Sequence, residues 1–468
     1  MARFPKILAL LAALAAACTD KYAPPLAPLD AFYFPVGLAV RSLPSGKSAL
    51  VVVSTNFDLR YDERRGGTVL SVDPDASLPI ESDGTGGGLA VLGAVEIGSF
   101  GGELAWADAV DTGAAWRPPG SYCPELAGDP VLASGGAIVL VASRALLDLY
   151  RVDMDAAGGL SLGAGAVVQL PVQFLDPYGV TIACGSPGGV PGAHAYFTHL
   201  RGVENQGWLT RLDLRTGEVL PLAVGAGSTY TTTLDPRSGK LYVSTRLAVG
   251  NTLRWFDARP EPPVVDGIGL PPLHELSVSA IVTGGLTRDL ALSNDGRFLY
   301  VSLQLFDAQA FALTGQIITQ GGALAAFDLT PTPLNEPRLA LYRLASTCYG
   351  AGQLRVLPPR PGRGDLIAVT CDVEGAMAIY DADVEKVVRY IGLDPVLGTP
   401  EFGSLPFGVA VEAIDPARAA SPASPCGPGR ACDRIYVASF EQNVVNIVEL
   451  DPDDPTGAEL VKRIGGVR

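Results

Sequence analysis

The sequence predicts an all-β protein, a seven-bladed β-propeller whose blades are four-stranded antiparallel sheets. One phrase recurs along the 468 residues: a short apolar strand, a turn, a strand such as Leu-Tyr-Val-Ser, a polar corner and a strand ending in Asp. Its clearest copies are Thr231–Ser244 and Thr287–Ser302. Gly, Pro, Asp and Asn bound these runs, and no long helix-period stretch follows the first 17 residues. A repeat that cannot bury its own apolar faces must stack on its neighbours, so we expect one array.

The phrase occurs seven times, which assigns residues 34–468 to the propeller. In the fourth unit, the outer strand is expected near Ala280–Thr283. Small residues in the inner strands allow seven strands to converge on a narrow axis, among them Gly37, Gly179 and Gly408. Outside the two clearest copies, the expected inner strands are Val36–Val40, Gly102–Ala107, Gly179–Cys184, Gln353–Leu357 and Phe407–Val411.

The amino terminus predicts export. Arg3 and Lys6 precede an uncharged apolar run, Ile7–Ala17, which has the length of a signal-peptide core and is too short to span a bilayer. We therefore expect residues 1–17 to be a signal peptide and residues 18–33, rich in Pro, to be a semi-stiff tether.

The run Leu14-Ala15-Ala16-Ala17-Cys18 resembles the lipobox of bacterial lipoproteins. That resemblance implies cleavage before Cys18, a lipid on its thiol and a membrane anchor in the bacterial cell envelope. Thr19 stands where an Asp often retains such proteins in the inner membrane, so the outer membrane is expected. The alternative is an ordinary secretory signal that happens to end at a cysteine.

Cysteine counting agrees with an exported lipoprotein. Seven cysteines are an odd number, and lipidation of Cys18 leaves six. The predicted strands place these six in three plausible disulfide pairs within or between neighbouring blades, as expected in an oxidising compartment. The pairs are Cys123 with Cys184, Cys348 with Cys371, and Cys426 with Cys432.

Two of the units resemble the YVTN family of bacterial β-propellers. The similarity lies in Asn294–Ser302 and Pro236–Ser244, and the other units resemble the family more loosely. The resemblance implies a propeller from about Phe34 to the end of the chain, and it implies little about function because propellers host many activities.

Candidate binding residues follow from the predicted topology. Loops that join second to third strands, and loops that join successive blades, open on one face around the central channel. A ring of polar residues there can bind a protein, a peptide or a glycan through convergent hydrogen bonds, or it can be no more than solvated corners. The candidates are Asn56, Asp58, Arg60, Arg144, His199, Arg201, Arg246, Gln304, Asp372 and Glu441.

The function predicted from the sequence is an envelope-anchored binding or scaffold module, without a cofactor or metal and more plausibly not an enzyme. A net charge of −15, from 34 basic and 49 acidic residues, makes nucleic acid an improbable partner. The alternatives are a lactonase-type hydrolase or a quinoprotein-like dehydrogenase, by analogy with related seven-bladed propellers. A lactonase needs a positioned His or Glu with Arg near the channel, which singles out His199, Arg201 and Arg246.

Overall fold

The structure, a computed structural model, describes most of the chain after residue 23. The predicted signal peptide and Cys18 lie outside the described residues. Within the described part, no helix is long and apolar enough to cross a membrane. The described residues are 24–81, 86–109, 121–163, 165–171, 174–184, 192–201, 206–246, 251–307, 309, 313, 319–331, 339–393, 405–415, 418, 424–426 and 431–465.

The seven predicted blades are present, and each contains an antiparallel sheet that starts from an inner strand. Blade 1 comprises β1 (Pro35–Ser42), β2 (Ser48–Ser54), β3 (Gly67–Val72) and β6 (Val91–Ile97), with the small hairpin β4 (Leu78–Ile80) and β5 (Gly86–Gly88) between the last two. Blade 2 comprises β7 (Gly101–Ala107), β8 (Ala137–Ser143) and β9 (Asp148–Met154), against which β10 (Leu160–Ser161) and β11 (Val167–Gln169) both pair. Blade 3 comprises β12 (Pro177–Ala183), β13 (His194–His199), β14 (Gln206–Asp213) and β15 (Val219–Ala226).

The remaining blades repeat this order. Blade 4 comprises β16 (Ser228–Asp235), β17 (Lys240–Arg246), β18 (Thr252–Asp257) and β21 (His274–Ser277); its hairpin β19 (Val264–Val265) and β20 (Ile268–Gly269) joins the edge of blade 3. Blade 5 comprises β22 (Gly285–Leu292), β23 (Phe298–Phe306), β24 (Thr319–Asp328) and β25 (Ala340–Ser346). Blade 6 comprises β26 (Ala351–Val356), β27 (Leu366–Cys371), β28 (Ala376–Asp381) and β29 (Lys386–Gly392). Blade 7 comprises β30 (Pro406–Ile414), β31 (Cys432–Ser439), β32 (Val444–Asp451) and β33 (Asp454–Gly465).

Short helical pieces occur only in connections of the described chain. A 3-10 turn (Pro124–Leu126) and α1 (Pro130–Ala133) follow β7, and α2 (Val278–Ile281) follows β21. The expected outer strand near Ala280–Thr283 is therefore wrong in position: the strand is β21, and the next residues begin a helical turn. The physical reason is Ser277, whose side chain accepts a hydrogen bond from the Ala280 amide and so caps that turn.

The inner strands close a ring. Each one contacts the next, from β1 through β7, β12, β16, β22, β26 and β30 and back to β1. Each blade is a continuous chain segment, so contacts between blades 7 and 1 must hold the ring shut. Apolar side chains from both blades share one core there, including Leu38, Val52, Tyr436 and Ile447.

A buried polar network reinforces the junction of blades 7 and 1. The fully buried Arg434 binds Glu449 at 2.7 Å and reaches Asp75 of blade 1 at 2.7 Å. Glu412 accepts hydrogen bonds from the Tyr436 hydroxyl at 2.6 Å and from Ser48 of blade 1 at 2.5 Å. Because every charge has a partner, the network tolerates burial and specifies which two blades meet.

The described residues directly before blade 1 pack against the propeller. Ala31, Phe32 and Tyr33 are buried, and Phe32 packs in the core shared by blades 7 and 1. Further upstream, the Pro25 carbonyl accepts a hydrogen bond from the Asp62 amide at 3.2 Å. The apolar side chains at 31–33 explain this docking, since they gain more by burial than a solvated linker does.

All three predicted disulfides are present. Cys123–Cys184 joins the loops after the inner strands of blades 2 and 3, Cys348–Cys371 lies within blade 6, and Cys426–Cys432 closes a short loop in blade 7. Two clusters of possible metal ligands within the described residues each depend on two of these cysteines. Disulfide sulfurs are not thiolates, so neither cluster is suited to a metal.

Candidate functional site

One backbone feature repeats at the start of every blade. The residue directly before each inner strand, which we term the blade-start residue, has a positive φ, between 36° and 96°. In six blades of the described chain, its carbonyl accepts a hydrogen bond from an amide at or just after the end of the second strand, as in Thr55 to Phe34 at 3.1 Å and Phe306 to Gly284 at 3.0 Å. The blade-start residues are Phe34, Phe100, Asp176, Gly227, Gly284, Gly350 and Leu405.

Glycine is the unstrained residue at such a position, and blades 4, 5 and 6 have it. Blades 7, 1 and 2 instead place Leu405, Phe34 and Phe100 there. A bulky side chain in the left-handed region costs about 1–2 kcal/mol. Strain of this kind points to a constraint other than folding, so these three blades form a candidate binding surface.

An aromatic patch occupies the face on which the inner strands start, which we call the mouth face. The patch consists of Phe34, Phe57, Phe100, Phe407 and Phe440. Phe57 lies 5.2 Å from Phe440, 6.0 Å from Phe34 and 6.1 Å from Phe100, measured between ring centroids. Its side chain is 56% exposed, whereas the other four rings are half-buried around it. A clustered apolar surface of this kind is typical of a protein-binding site.

Three of the predicted binding residues lie in the loop that carries Phe57. Arg60 is 62% exposed on its side chain, lies 3.3 Å from the Asp58 carboxylate and stacks over the Tyr33 ring. Asn56 is buried instead: its amide donates to Tyr61 O at 2.8 Å and to Ser99 Oγ at 3.0 Å. Asn56 therefore holds the loop in shape, and Arg60 and Asp58 face solvent beside the patch.

Arg144 and Arg201 converge on a residue that sequence reasoning missed. Asp176, the blade-start residue of blade 3, binds Arg144 through two hydrogen bonds and lies 3.8 Å from Arg201. The Arg201 side chain is 77% exposed, whereas Arg144 lies over the Tyr178 ring. These side chains make a charged rim next to the aromatic patch.

The other candidates are spread around the mouth face. Asp372 binds the buried Arg288 at 2.6 Å, and Gln304 donates to Thr319 at 2.6 Å. Partial burial raises the pKa of Glu441, which stands directly after Phe440. Arg246 ends β17, and its side chain lies outside the described residues. The structure therefore does not bring the ten candidates together in one ring of contacts.

His199 lies in the interior. Its Nε2 is 2.8 Å from the Thr210 hydroxyl, and its ring lies 5.9 Å from the Phe174 ring. Burial lowers its pKa to about 4, so the imidazole is neutral at physiological pH. Arg201 is on the surface, so His199 and Arg201 occupy different environments.

The channel axis carries a second repeated position. Every inner strand has a register shift near its start, and the residues at these bulges lie close to those of other blades around the axis. Neighbouring backbones approach so closely that a Cβ on Gly37 would lie 2.8 Å from Gly102 O and one on Gly408 2.5 Å from Val36 O. We call these seven positions the axial ring: Gly37, Glu103, Gly179, Thr231, Asp289, Gln353 and Gly408.

The two buried carboxyls of the axial ring, Asp289 and Glu103, differ in the number of hydrogen bonds that they accept. Asp289 accepts from Arg355 Nη1 at 2.8 Å, from the Leu354 amide at 3.0 Å and from the Thr231 hydroxyl at 3.0 Å. Glu103 accepts from the Gln353 amide at 2.6 Å, its only hydrogen bond within the described part of the chain. Burial, and next the charge of Asp289, raise the pKa of Glu103 to about 8. Asp289 is the ion-pair partner of Arg355, and the raised pKa of Glu103 keeps a proton on that carboxyl at neutral pH.

Beyond this ring, the channel widens into a cavity of about 210 Å³. Its walls include Ala39, Ala105 and Ala291 of the inner strands, and the turn residues Ser121 and Asn294 also line it. Because those turns follow the inner strands, the cavity lies toward the face opposite the mouth. The candidates predicted from the sequence all follow second strands at the mouth, because loop position does not reveal that small side chains in the second half of the inner strands leave this space.

Buried side chains fill the channel on its mouth side. Tyr178 stacks on Tyr230 with ring centroids 5.2 Å apart, and Arg288 lies 5.7 Å from the Tyr230 centroid. All three immediately precede residues of the axial ring. Mouth and cavity are therefore two separate candidate sites, an apolar docking surface and an internal chamber.

Fold and sites together define the class of protein: a seven-bladed β-propeller. It resembles hydrazine synthase of Kuenenia stuttgartiensis, with a TM-score of 0.52 and 12% identity over 90% of this chain and 96% of that chain. The β-propeller domain of Cps50 (Swd1) from Myceliophteria thermophila aligns with a TM-score of 0.49 and 12% identity over 89% of this chain and 98% of that one. No family model and no curated protein matches this sequence. At such identities the similarity concerns the fold alone.

Proposed function

We propose that this chain is a lipid-anchored protein of the bacterial envelope that binds a protein partner through the aromatic patch of its mouth face. The observation that carries the proposal is the placement of Phe34 and Phe100 at positive φ. The fold itself is served better by glycine at these positions. Retaining Phe there keeps two rings against the exposed Phe57.

The chemistry of the patch favours a protein over a glycan or a lipid surface. Phenylalanine has no hydroxyl or N–H to offer a sugar, whereas aromatic and arginine side chains are enriched at protein interfaces. Arg60 and Arg201 supply exposed charges at the rim. A net charge of −15 disfavours close approach to an anionic membrane surface.

The proposed anchor agrees with this orientation. Cys18 is the lipidation site implied by the lipobox resemblance, and residues 18–24 span at most about 25 Å when fully extended. Pro25 hydrogen-bonds Asp62 in the loop that also carries Phe57. The mouth face then lies near the membrane, where it can meet another envelope protein.

The lactonase alternative is supported less well. It needs a histidine or glutamate that acts together with an arginine at the channel mouth. His199 is buried with Thr210 as its partner, and Arg201 lies on the surface beside Asp176. Lactone hydrolysis by the purified chain, lost in both His199→Ala and Arg201→Ala, would nevertheless favour the hydrolase.

The docking proposal is tested on envelopes solubilised in mild detergent. Phe57→Ser removes the exposed centre of the patch, and Val384→Ser is a matched control because Val384 is 51% exposed in the turn between β28 and β29, on the opposite face. Blue-native electrophoresis should show a complex with the wild-type and Val384→Ser chains. Phe57→Ser should weaken it by about 30-fold in affinity, the effect of losing a hot-spot residue.

Two further results decide between partners and test the anchor. Binding of the Cys18→Ala chain to anionic vesicles through Phe57 would replace the protein partner with a lipid surface. A free monomer under every condition would argue against any partner. Cys18→Ala should also move the chain from the membrane fraction to the soluble fraction, and an unchanged membrane fraction would contradict lipidation at Cys18.

A further inference from the structure

The chamber on the channel axis has walls and a floor of different chemistry. Its walls are the second halves of the inner strands, with Leu38, Val180, Leu290 and Val409 among the apolar residues that line it. Its polar floor is formed by Glu103, Asp289 and Arg355. A volume of about 210 Å³ exceeds that of a single water many times. An apolar chamber with a few convergent polar groups is the usual form of a small-molecule site.

Once the hydrogen bonds within the floor are made, the polar groups of the floor that remain for a ligand are donors and not acceptors. Asp289 is saturated by Thr231, Arg355 and the Leu354 amide. Gln353 uses its amide N–H on Glu103 Oε1, and its carbonyl oxygen accepts from the Val409 amide at 3.2 Å. Oε2 of Glu103 has no hydrogen bond within the described part of the chain, and Glu103 is only 8% exposed.

Two donors therefore remain. Burial and the Asp289 charge keep a proton on Glu103, so Oε2–H can donate, as a neutral acid does in an apolar pocket. Arg355 lines the chamber and bonds only through Nη1 within the described chain, so its other guanidinium N–H groups remain available as donors. Asp289 already accepts from Thr231, Arg355 and the Leu354 amide, and Glu103 carries a proton, so an ammonium ion with its three donors would find no open carboxylate on this floor. A carboxylate would leave a net negative charge in the buried floor, because Asp289 already neutralises Arg355.

We propose that this axial chamber binds a small, uncharged, largely apolar molecule through one acceptor oxygen, such as the carbonyl of a ketone or aldehyde, seated on Glu103. The apolar body of the ligand lies against the inner strands of several blades, and its oxygen accepts from Glu103 Oε2 and Arg355. The site is independent of the aromatic patch, because it lies toward the opposite face and the stacked Tyr178 and Tyr230 separate it from the mouth.

The test uses three probes of one shape on the purified full chain, measured by calorimetry or ligand-observed NMR. Cyclohexanone has the acceptor, methylenecyclohexane has the same shape without it, and cyclohexylammonium has a positive charge instead. Cyclohexanone should bind more tightly than methylenecyclohexane by about tenfold, the contribution of one buried hydrogen bond. Glu103→Met, which keeps the length of the side chain but has no donor, should remove that difference and leave methylenecyclohexane unchanged.

Two further measurements protect the test from a folding artefact. Ala105→Leu fills the chamber without touching the floor and should abolish binding of both neutral probes. The affinity for cyclohexanone should fall as the pH rises through about 8, where Glu103 loses its proton, and this fall should be absent from Glu103→Met. The titratable and charged groups around Glu103 are Asp289, Arg355 and Tyr178, with Arg288 beside Tyr178, and Asp289 is the only carboxyl among these four.

Several outcomes would overturn the proposal. Equal affinities of cyclohexanone and methylenecyclohexane would remove the role of Glu103. Tighter binding of cyclohexylammonium would make this a cation site. Tighter binding of cyclohexanecarboxylate, measured as a fourth probe with a negative charge, would make Arg355 the recognising group. Absence of binding by every probe, with the wild-type chain folded, would leave the chamber without a ligand function.

Discussion

Blades 4 to 6 and blades 7 and 1 meet the same backbone requirement with opposite residues. Blades 4, 5 and 6 start with Gly227, Gly284 and Gly350, and they contribute Thr231, Asp289 and Gln353 to the axial ring. Blades 7 and 1 start with Leu405 and Phe34, and they contribute Gly408 and Gly37 to the axis.

Blade 2 combines the two patterns, with Phe100 at its start and Glu103 at the axis. The difference teaches that the repeat fixes the backbone of each blade and leaves the side chains at two positions free. In blades 4 to 6, which we call the polar half, the axial residues make polar contacts inside the channel. In blades 7, 1 and 2, which we call the apolar half, the blade-start residues form an apolar surface at the mouth.

The largest expected effect tests the polar half. Asp289→Ala should lower the free energy of unfolding by about 3–5 kcal/mol, because Arg355 and the Leu354 amide lose a buried charged partner. Urea denaturation measures this change. A loss below about 1 kcal/mol would mean that water replaces the carboxylate and that the axial ring is not a structural element.

A smaller effect is expected when two of the blade-start glycines are replaced and the losses in the free energy of unfolding are compared. A Cβ on Gly284 would lie 2.4 Å from the Phe306 carbonyl oxygen, whereas one on Gly227 meets nothing nearer than Thr245 Cβ at 4.0 Å. Gly284→Ala should therefore cost about 2–3 kcal/mol, and Gly227→Ala only the conformational cost of about 1 kcal/mol. Equal losses in thermal or urea unfolding would show that the steric contact is relieved elsewhere.

Replacing Glu103 is expected to stabilise the folded chain at neutral pH, whereas replacing Asp289 is expected to destabilise it. Its pKa is raised from 4.5 to about 8 in the folded chain, so the folded state binds more protons than the unfolded state between these values. The free energy of unfolding then falls as the pH rises through this window. Glu103→Gln removes this contribution, and it should be more stable than wild type at pH 7 to 8 and lose that advantage toward pH 5.

The pH prediction is measured as the difference between the two chains, because other groups titrate in the same range. Burial also raises the pKa of Asp433, to about 7, and this contribution is common to both proteins. Parallel unfolding curves at pH 5, 6.5 and 8 suffice. A constant difference across this range would contradict the raised pKa of Glu103.

The smallest effect on stability tests the apolar half. Asn adopts the left-handed region more readily than Phe, so Phe100→Asn should relieve strain while it removes one ring of the aromatic patch. We expect the free energy of unfolding to change by no more than about 1 kcal/mol. The complex seen for wild type in blue-native gels should nevertheless be lost. A stable variant that keeps the complex would separate the strained residues from partner binding.

Much of the fold was open to prediction from the sequence. The recurring phrase located all seven blades, because alternation of apolar residues and turn chemistry are local properties. The same strand assignment paired the six described cysteines correctly. The outer strand of blade 4 was misplaced, since the cap formed by Ser277 competes locally with strand continuation.

The candidate sites were predicted less well. Polar residues after the second strands were singled out by loop position, yet Asn56 and His199 turn inward to hydrogen-bond the protein itself. Phe57, Glu103 and Asp289 were not singled out, because residue type alone does not show whether an aromatic ring is exposed or a carboxyl is buried. Aligning the seven units with one another would have flagged Glu103 and Asp289 as acids where other blades have Gly.

The sequence by itself determined the repeat, its number, the antiparallel blades and the cysteine pairs. Each of these depends on spacing along the chain, and spacing is visible without coordinates. Only the tertiary structure decided what meets at the axis and at the mouth. Gln353 and Glu103 are 250 residues apart, yet they share a hydrogen bond because ring closure brings distant blades around one axis. Burial at that axis then sets the charge of Glu103, which no local pattern encodes.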